Sequence, residues 1–316
     1  MSLTMKSLRC CALAWLAGMP MAHAAENFCI NYQGTTGEPM ALGVRDWSGG
    51  SLVAERVASV STEWPPAPVA LGARKWEPIY MVATTAADVQ SLAQGLHETT
   101  AHPSHFAAPS GYLELVSLGP KGLPVHATRF TNPVVVGVGV PSLPDRAPKF
   151  EFELMPDQQL TVVAKCVTSG RETAGAGHPM VGGDVVTLSA DGLASISALR
   201  MAGFKYGVNL AGESGGLRSG QMRISPKARP ETVKFTLAAG THASWFQWFQ
   251  DVVVQFRDVR KKIQVTLVDA AGRPALHVTL LDALPLRWSP IVSDAEPSER
   301  YVLEVAPTQI EISLPK

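Results

Sequence analysis

The chain has 316 residues, with 27 Lys+Arg against 27 Asp+Glu and a hydrophobic fraction of 46%. This length accommodates two ordinary domains with packed cores, and no low-complexity run points to extensive disorder. The balanced charge gives no overall attraction to nucleic acid or to anionic lipid, so neither is expected as the main partner.

Residues 1–24 have the features of an export signal. Lys6 and Arg9 form a basic start, a short apolar stretch runs from Cys10 to Met19, and Ala22-His23-Ala24 fits a cleavage site. The stretch is too short for a comfortable transmembrane helix, which leaves an uncleaved anchor as the alternative. We therefore predict export to the periplasm or the cell exterior and no stable membrane insertion after cleavage.

Two cysteines, Cys29 and Cys166, remain once the signal segment is removed. In an oxidising compartment such a pair can form a disulfide, which would join the two ends of the first half of the chain. An unstrained bond of this kind adds about 2–4 kcal/mol of stability. Two separate buried thiols are the alternative.

The first predicted domain, residues 26–168, begins with short strand-like runs. Alternation from Ile79 to Ala83 predicts a strand, and Thr85 with Asp88 forms a capping box that predicts a helix start. Gly95 weakens this helix near its end. Its apolar positions follow at helical spacing: Val89, Leu92 and Leu96.

A small, polar and Gly-rich stretch, residues 169–183, predicts a linker to the second domain, residues 184–316. Strands are predicted over residues 185–199 and 205–210. A helix is predicted from a Thr241 cap to about Val259. Its apolar stripe is expected to pack on the sheet and contains Trp245, Trp248, Phe249, Val252, Val253 and Phe256.

The C-terminal run from Lys262 to Ser313 has the clearest pattern and predicts three strands. Apolar and other residues alternate from Ile263 to Leu267, the turn Asp269–Gly272 follows, and Leu276–Leu280 forms the return strand of a hairpin. Tyr301 begins the third strand.

An upstream stretch, Gly111 to Val163, repeats the order of strands and turns of the C-terminal run. Gly122 and Pro124 match Gly272 and Pro274, a displacement of about 150 residues. We infer a tandem repeat of one domain. The fold class is mainly β, with one helix per repeat laid against an antiparallel barrel or sandwich.

Four segments of the second repeat carry a resemblance to a known family: SWFQWFQDV (Ser244 to Val252), VTLVDAAGRP (Val265 to Pro274), VTLLDALPLRWS (Val278 to Ser289) and YVLEVAPTQIEI (Tyr301 to Ile312). In combination they resemble the tail-tube proteins of contractile phages, which are related in fold to the haemolysin-coregulated protein of type VI secretion. The resemblance is best over residues 201–312. Upstream it is weaker, where Asn132-Pro133 echoes the corner Asp282-Ala283-x-Pro285.

The resemblance implies a structural protein that joins neighbours into a ring, with no catalytic residues and no cofactor. Three two-domain chains would present six domains, a pseudo-hexameric trimer. Partners would be copies of the chain and other tail-like or secretion-apparatus components. The structural motif residues implied are Trp245, Trp248, Asp269, Gly272, Asp282, Ala283 and Pro285.

Two departures from the family leave an alternative open. The family needs no export signal, and the first repeat has lost most family-like residues. The alternative is an exported periplasmic or surface binding module that kept the fold without assembly. Pro65, Pro66 and Pro68 could then blunt a sheet edge.

A serine hydrolase using Ser214 is the enzymatic alternative, since Gly212–Gly216 matches G-x-S-x-G. Asp46–Gly50 ends in the same Ser-Gly-Gly and is expected at the corresponding place of the first repeat, so the motif predicts a repeated loop. His102 precedes a Pro and lacks the context of a catalytic triad. His102 and His105 supply at most two metal ligands, which favours a solvated loop.

Overall fold

The structure, a computed structural model, consists mainly of antiparallel strands. It describes residues 28–34, 38–57, 70–101, 111–145, 147–156, 158–167, 186–211, 223–225, 231–238, 240, 243–269, 271–291 and 300–315. The predicted signal segment, the predicted linker and the predicted cap Thr241 lie outside these residues. The division of the chain at the linker therefore stays a prediction.

In its described residues the first repeat contains eleven strands and one helix. They are β1 (Phe28–Gln33), β2 (Met40–Leu42), β3 (Val44–Gly49), β4 (Leu52–Val57), β5 (Ala70–Trp76), β6 (Ile79–Ala83), α1 (Ala86–Ala101), β7 (Tyr112–Leu118), β8 (Pro124–Thr131), β9 (Val134–Val140), β10 (Phe150–Met155) and β11 (Gln158–Val162).

The second repeat follows the same order. It contains β12 (Val186–Ala190), β13 (Ile196–Met201), β14 (Phe204–Gly207), β15 (Asn209–Ala211), β16 (Arg223–Ser225), β17 (Val233–Ala238), α2 (Ala243–Phe249), a π-helical segment (Gln250–Val254), β18 (Lys261–Val268), β19 (Pro274–Ile291), β20 (Arg300–Ala306) and β21 (Gln309–Ser313).

Two antiparallel sheets enclose the core of the first repeat. One has the order β11-β8-β7-β1-β2, and the other contains β9-β10-β6-β3. The strand β10 shows why they pack: Phe150, Phe152 and Leu154 are buried while Glu151 is exposed. This period of two gives the sheet one apolar face, which must be covered.

The helix α1 packs closely against the sheets of the first repeat. The backbone N–H of Asp88 donates to Thr85 Oγ1 (3.2 Å), so the predicted helix start is confirmed. Gly95 has a packing role, because a Cβ there would lie 2.9 Å from Val135 Cγ2 and 3.0 Å from the Tyr32 hydroxyl. Burial, with a smaller effect from a nearby carboxylate, raises the pKa of Tyr32 to about 12.

The aromatic helix of the second repeat is shorter than its apolar pattern predicted. α2 ends at Phe249, continues as the π-helical segment, and stops at Val254 rather than near Val259. Trp245 and Trp248 lie in the core, as the helical spacing predicted. Their indole N–H groups donate to Ala194 O and Val259 O. Just beyond the last turn Phe256 adopts a left-handed φ of 56°, which does not continue a helix.

The C-terminal run forms four strands, so the prediction of three was wrong. The return strand β19 does not stop near Leu280 but runs to Ile291, and the closing segment is divided into β20 and β21. β19 bends at Asp282, which adopts a left-handed φ of 47°. Asn132, at the corresponding corner between β8 and β9, has a φ of 50°. Asx residues tolerate this conformation, which explains the shared corner.

Cys29 and Cys166 are bonded in the structure, with their Cα atoms 6.1 Å apart. The buried Asn31 side chain binds the backbone on both sides of Cys166, the terminal segment of the first repeat. It donates to Lys165 O (2.7 Å) and accepts from the backbone N–H of Val167 (3.0 Å). The bond therefore joins β1 to a segment that already docks beside it.

The predicted fold class is confirmed, with one helical layer and antiparallel sheets in each repeat. One interpretation needs correction. Asp46–Gly50 does not correspond to Gly212–Gly216. The strand before the helix pairs with β3 in the first repeat, through Met81 and Trp47, and with β13 in the second, through Phe235 and Met201. β3 is thus the counterpart of β13, and the Ser-Gly-Gly argument for a repeated loop fails.

Candidate assembly surface

The two repeats are joined by strand pairing. β14 of the second repeat adds to β9 of the first, with Phe204 opposite Val140 and Gly207 opposite Gly137. The register continues to a bridge between Met201 and Leu143, whose backbone groups exchange hydrogen bonds of 2.8 and 2.9 Å. We call this the internal seam. It is a sheet edge covered by a strand from the neighbouring repeat.

Tyr206 is the main side chain of the internal seam and is only 5% exposed. Its hydroxyl has Thr100 of α1 and the backbone of Ile310 of β21 as hydrogen-bond partners. Burial raises the pKa of this tyrosine, with smaller opposing effects from these hydrogen bonds. A cleft of about 200 Å³ beside it is lined by α1, β9 and β21. Tyr206 therefore lies where α1 and β9 of the first repeat meet β21 of the second.

Two glycines allow the seam strands to approach closely. A Cβ on Gly207 would lie 2.6 Å from Val136 O, and one on Gly203 would lie 3.0 Å from the backbone nitrogen of Ser142. Both close neighbours are backbone atoms of the opposite strand, which cannot move without breaking the pairing.

Replacing Gly207 with Val is expected to open the internal seam and to lower the free energy of unfolding by about 1–3 kcal/mol, because overpacking forces the strands apart. Hydrogen exchange should show faster exchange at Val208, whose N–H donates to Val136 O (2.8 Å). The control is Gly272→Asn at an open turn with φ 75°. Unchanged protection at Val208 would contradict the prediction.

The sheet continues from one repeat into the other. Beside the β9–β14 pair, β13 pairs with β17, and Ala202 N and Glu231 N extend that ladder into β14. Met201 pairs with Leu143 on one side and with Phe235 on the other, so it links the sheet β3-β6-β10-β9-β14 to the strands β17-β20-β19 of the second sheet. Because successive pairs are antiparallel, β9 and β19 run in the same direction. The repeats lie side by side without inversion.

Hydrogen bonds fix which residues of the two repeats correspond. Glu77 N donates to Ser51 O (2.8 Å), and Glu231 N donates to Lys205 O (3.3 Å). Leu52, the residue after Ser51, is therefore the counterpart of Tyr206. Both copies also share a bulge after β3 residue Val44 and after β13 residue Ala198.

The strands β9 and β19 of the two repeats correspond in the same way. β9 and β19 each carry an irregularity in their pairing with the next strand, at Val136 and at Leu286. Val136 is 4% exposed beneath the internal seam, whereas Leu286 is 49% exposed. Leu52 is likewise 41% exposed. Among the described residues, no strand covers β19 beyond Ala283 or the outer edge of β3 and β4.

An aromatic cluster lies next to the open β19 edge. The Phe246 and Trp288 ring centroids are 5.2 Å apart, those of Phe249 and Trp288 6.3 Å, and those of Trp288 and Tyr301 5.5 Å. These rings are half-buried. Exposed aliphatic and half-buried aromatic groups together are typical of interaction surfaces.

The face of the continuous sheet that points away from the cores carries opposite charges in the two repeats. In the first repeat Glu151 and Glu153 lie on it. In the second, Arg200, Lys234 and Arg287 share it with Glu304, which lies 3.8 Å from Lys234. The β19 edge is thus on the basic side.

The predicted motif residues occupy structural positions apart from this edge, with two exceptions. Asp269 closes the hairpin turn by accepting from the N–H of Arg273 and Ala271, and these bonds, that of Arg273 first, lower its pKa. Gly272 has a φ of 75° in the same turn. Asp282 and Pro285 flank the start of the open edge, next to buried Ala283.

Other predicted sites are only partly testable. Ser214, His102 and His105 lie outside the described residues, so the hydrolase and metal predictions remain untested there. Within the described part of the chain, no three His, Cys, Asp or Glu residues gather as metal ligands. No helix in that part is long and apolar enough to cross a bilayer.

Comparisons with known proteins find similarity to solved structures. The baseplate of the anti-feeding prophage matches with a TM-score of 0.33 at 16% identity, over 41% of this chain and 91% of the other. Its tube-terminating cap gives 0.32 at 13%, over 47% and 100%. Hcp1 from Flavobacterium johnsoniae gives 0.30 at 13%, over 42% and 96%.

Each match covers less than half of this chain. No protein-family model matches the chain, and no curated protein sequence does either.

The residues that form the internal seam and the open edges were missed by sequence reasoning. Leu52, Tyr206 and Leu286 are single apolar residues in short alternating runs, which give no sign of partner choice. Gly203 and Gly207, spaced around Tyr206, were the available signal, because glycines in a strand often mark close approach of another backbone.

Proposed function

We propose that this chain is a structural, non-catalytic protein that assembles with copies of itself, edge to edge, into a closed ring. The observation that carries the proposal is the strand pairing that crosses both repeats and, among the described residues, leaves two edges uncovered. One edge is β19, the counterpart of β9. The other is the outer edge of β3 and β4, the counterpart of the strand β13–β14. Inside the chain, edges of these two types already pair with each other.

The side-by-side arrangement favours a ring over a symmetric dimer. An edge that binds a different edge of the next copy makes a head-to-tail contact, which repeats until the rotation closes. Closure also removes exposed strand edges, which otherwise promote aggregation. With two repeats per chain, three chains would give a pseudo-hexamer, the number that the sequence resemblance implies.

An exported location is part of the proposal. The Cys29–Cys166 bond supports it, because disulfides persist in oxidising compartments such as the periplasm and the cell exterior. Other components of a tail-like or secretion apparatus are the additional partners that the sequence resemblance implies.

The test is the absolute mass of the purified protein by light scattering across a wide concentration range, with negative-stain microscopy of the main species. The expected result is a closed oligomer, visible as a ring, with a mass near three times that of the single chain or a higher multiple. A strict single-chain mass at all concentrations would overturn the proposal and favour the binding module.

A further inference from the structure

We propose that Leu52 of one copy inserts beside Leu286 and Trp288 of a second copy, in the place that Tyr206 occupies inside the chain. This inference rests on the proposed function and names its contact: the outer edge of β3 and β4 is the donor, and the β19 edge with α2 is the acceptor. The occupant of the acceptor is a second copy of this chain.

The donor side is defined by the correspondence of the two repeats. The strand from Trp47 to Leu52 pairs with β6 and β5 on one side, as the strand from Met201 to Tyr206 pairs with β17. In the second repeat the other side of this strand is covered by β9. In the first repeat it is uncovered among the described residues, and Leu52 stands on it.

The acceptor side has a buried counterpart as well. Inside the chain, β9 presents Val136 and Val138 to the donor strand, and both are nearly fully buried. The corresponding residues of β19 are Leu286 and Trp288, which are exposed and half-buried. Burying such apolar surface contributes about 25 cal/mol per Å² removed from water.

The chemistry of each donor fits its own acceptor. Tyr206 needs hydrogen-bond partners for its buried hydroxyl and has Thr100 and the Ile310 backbone. The second repeat offers the rings of Phe249 and Trp288 near its open edge. A leucine has no polar atom to satisfy and suits this aromatic surface, so the two seams are not interchangeable.

Charge disfavours the symmetric alternative, in which two β19 edges pair with each other. Such a pair would bring Arg287 of both copies to one seam, and like charges on paired strands destabilise a sheet. The acceptor therefore binds a donor edge of different composition, and the contact has a direction.

The experiment uses two arginine variants that should each block one side. Leu52→Arg removes the donor, and Leu286→Arg removes the acceptor. Both side chains are exposed in the single chain, so neither change should disturb its fold. We expect each variant alone to show a single-chain mass, and an equimolar mixture to form a 1:1 dimer and nothing larger, because only one working seam remains.

The control is Leu123→Arg, which changes a residue 63% exposed beside the β7–β8 turn, outside both edges. It should assemble as the unchanged protein does, and all three variants should keep the same far-UV circular dichroism spectrum. If Leu52→Arg and Leu286→Arg lose assembly while Leu123→Arg keeps it, the loss is assigned to the seam between copies.

The outcomes separate this inference from the proposed function. If the unchanged protein is an oligomer and the two variants assemble equally well, the inference fails while the proposed function stands. If the variants are single chains and their mixture stays so, the directional contact fails. If the unchanged protein is itself a single chain, the proposed function fails and this contact with it.

Discussion

Replacing Cys29 and Cys166 together with serine is expected to lower the free energy of unfolding by about 2–5 kcal/mol. The bond closes a loop with a sequence separation of 137, and its loss enlarges the unfolded ensemble more than it changes the folded state. Asn31 keeps the terminal segment docked in the folded protein. Urea unfolding at fixed protein concentration, with and without reductant, measures the change.

The controls follow from the same reasoning. Reductant should shift the unfolding midpoint of the unchanged protein to that of the double-serine variant and should leave the variant itself unaffected. Asn31→Ala in the oxidised protein should expose the segment to hydrogen exchange while the bond stays intact. Equal midpoints for the oxidised protein and the double-serine variant would show that the bond adds no stability.

Replacing Trp245 with Ala is expected to cost about 3–5 kcal/mol of stability, the range for removing a large aromatic side chain from a core. The indole is fully buried and packs edge-on against Trp248, with ring centroids 6.2 Å apart. The change also leaves Ala194 O without its 2.8 Å hydrogen bond. Urea unfolding monitored by circular dichroism gives the free energy.

Two variants calibrate that result. Trp245→Phe keeps most of the apolar volume and should cost less than the alanine variant, chiefly through the lost hydrogen bond, about 0.5–1.5 kcal/mol. Phe256→Ala changes an almost fully exposed aromatic residue just beyond the helix and should stay within about 0.5 kcal/mol. A Trp245→Ala cost as small as that of Phe256→Ala would mean that the aromatic helix does not anchor the core.

Elements with strong local patterns were predictable from the sequence. The start of α1 at Thr85, the buried face of α2, and the hairpin around Gly272 all follow from capping, periodicity and turn chemistry within a few residues. The tandem repeat was also visible, since Asn132 and Asp282 share both their displacement of about 150 residues and their left-handed backbone.

Predictions that depended on tertiary contacts were wrong or absent. The apolar stripe predicts a helix to about Val259, but it does not show that Phe256 leaves the helical conformation or that Trp248 donates to Val259 O. The correspondence of the Ser-Gly-Gly loops failed for a similar reason. Only the pairing of Trp47 with Met81 shows which strands match.

The candidate site divides in the same way. The sequence by itself determined a β-rich tandem repeat, because alternation, caps and turns act between residues close in the chain. Only the tertiary structure decided that β14 covers β9 while β19 stays open, because Tyr206 and Leu52 stand in similar local patterns. Which edge a strand covers depends on contacts between residues far apart in the chain, and no local pattern encodes them.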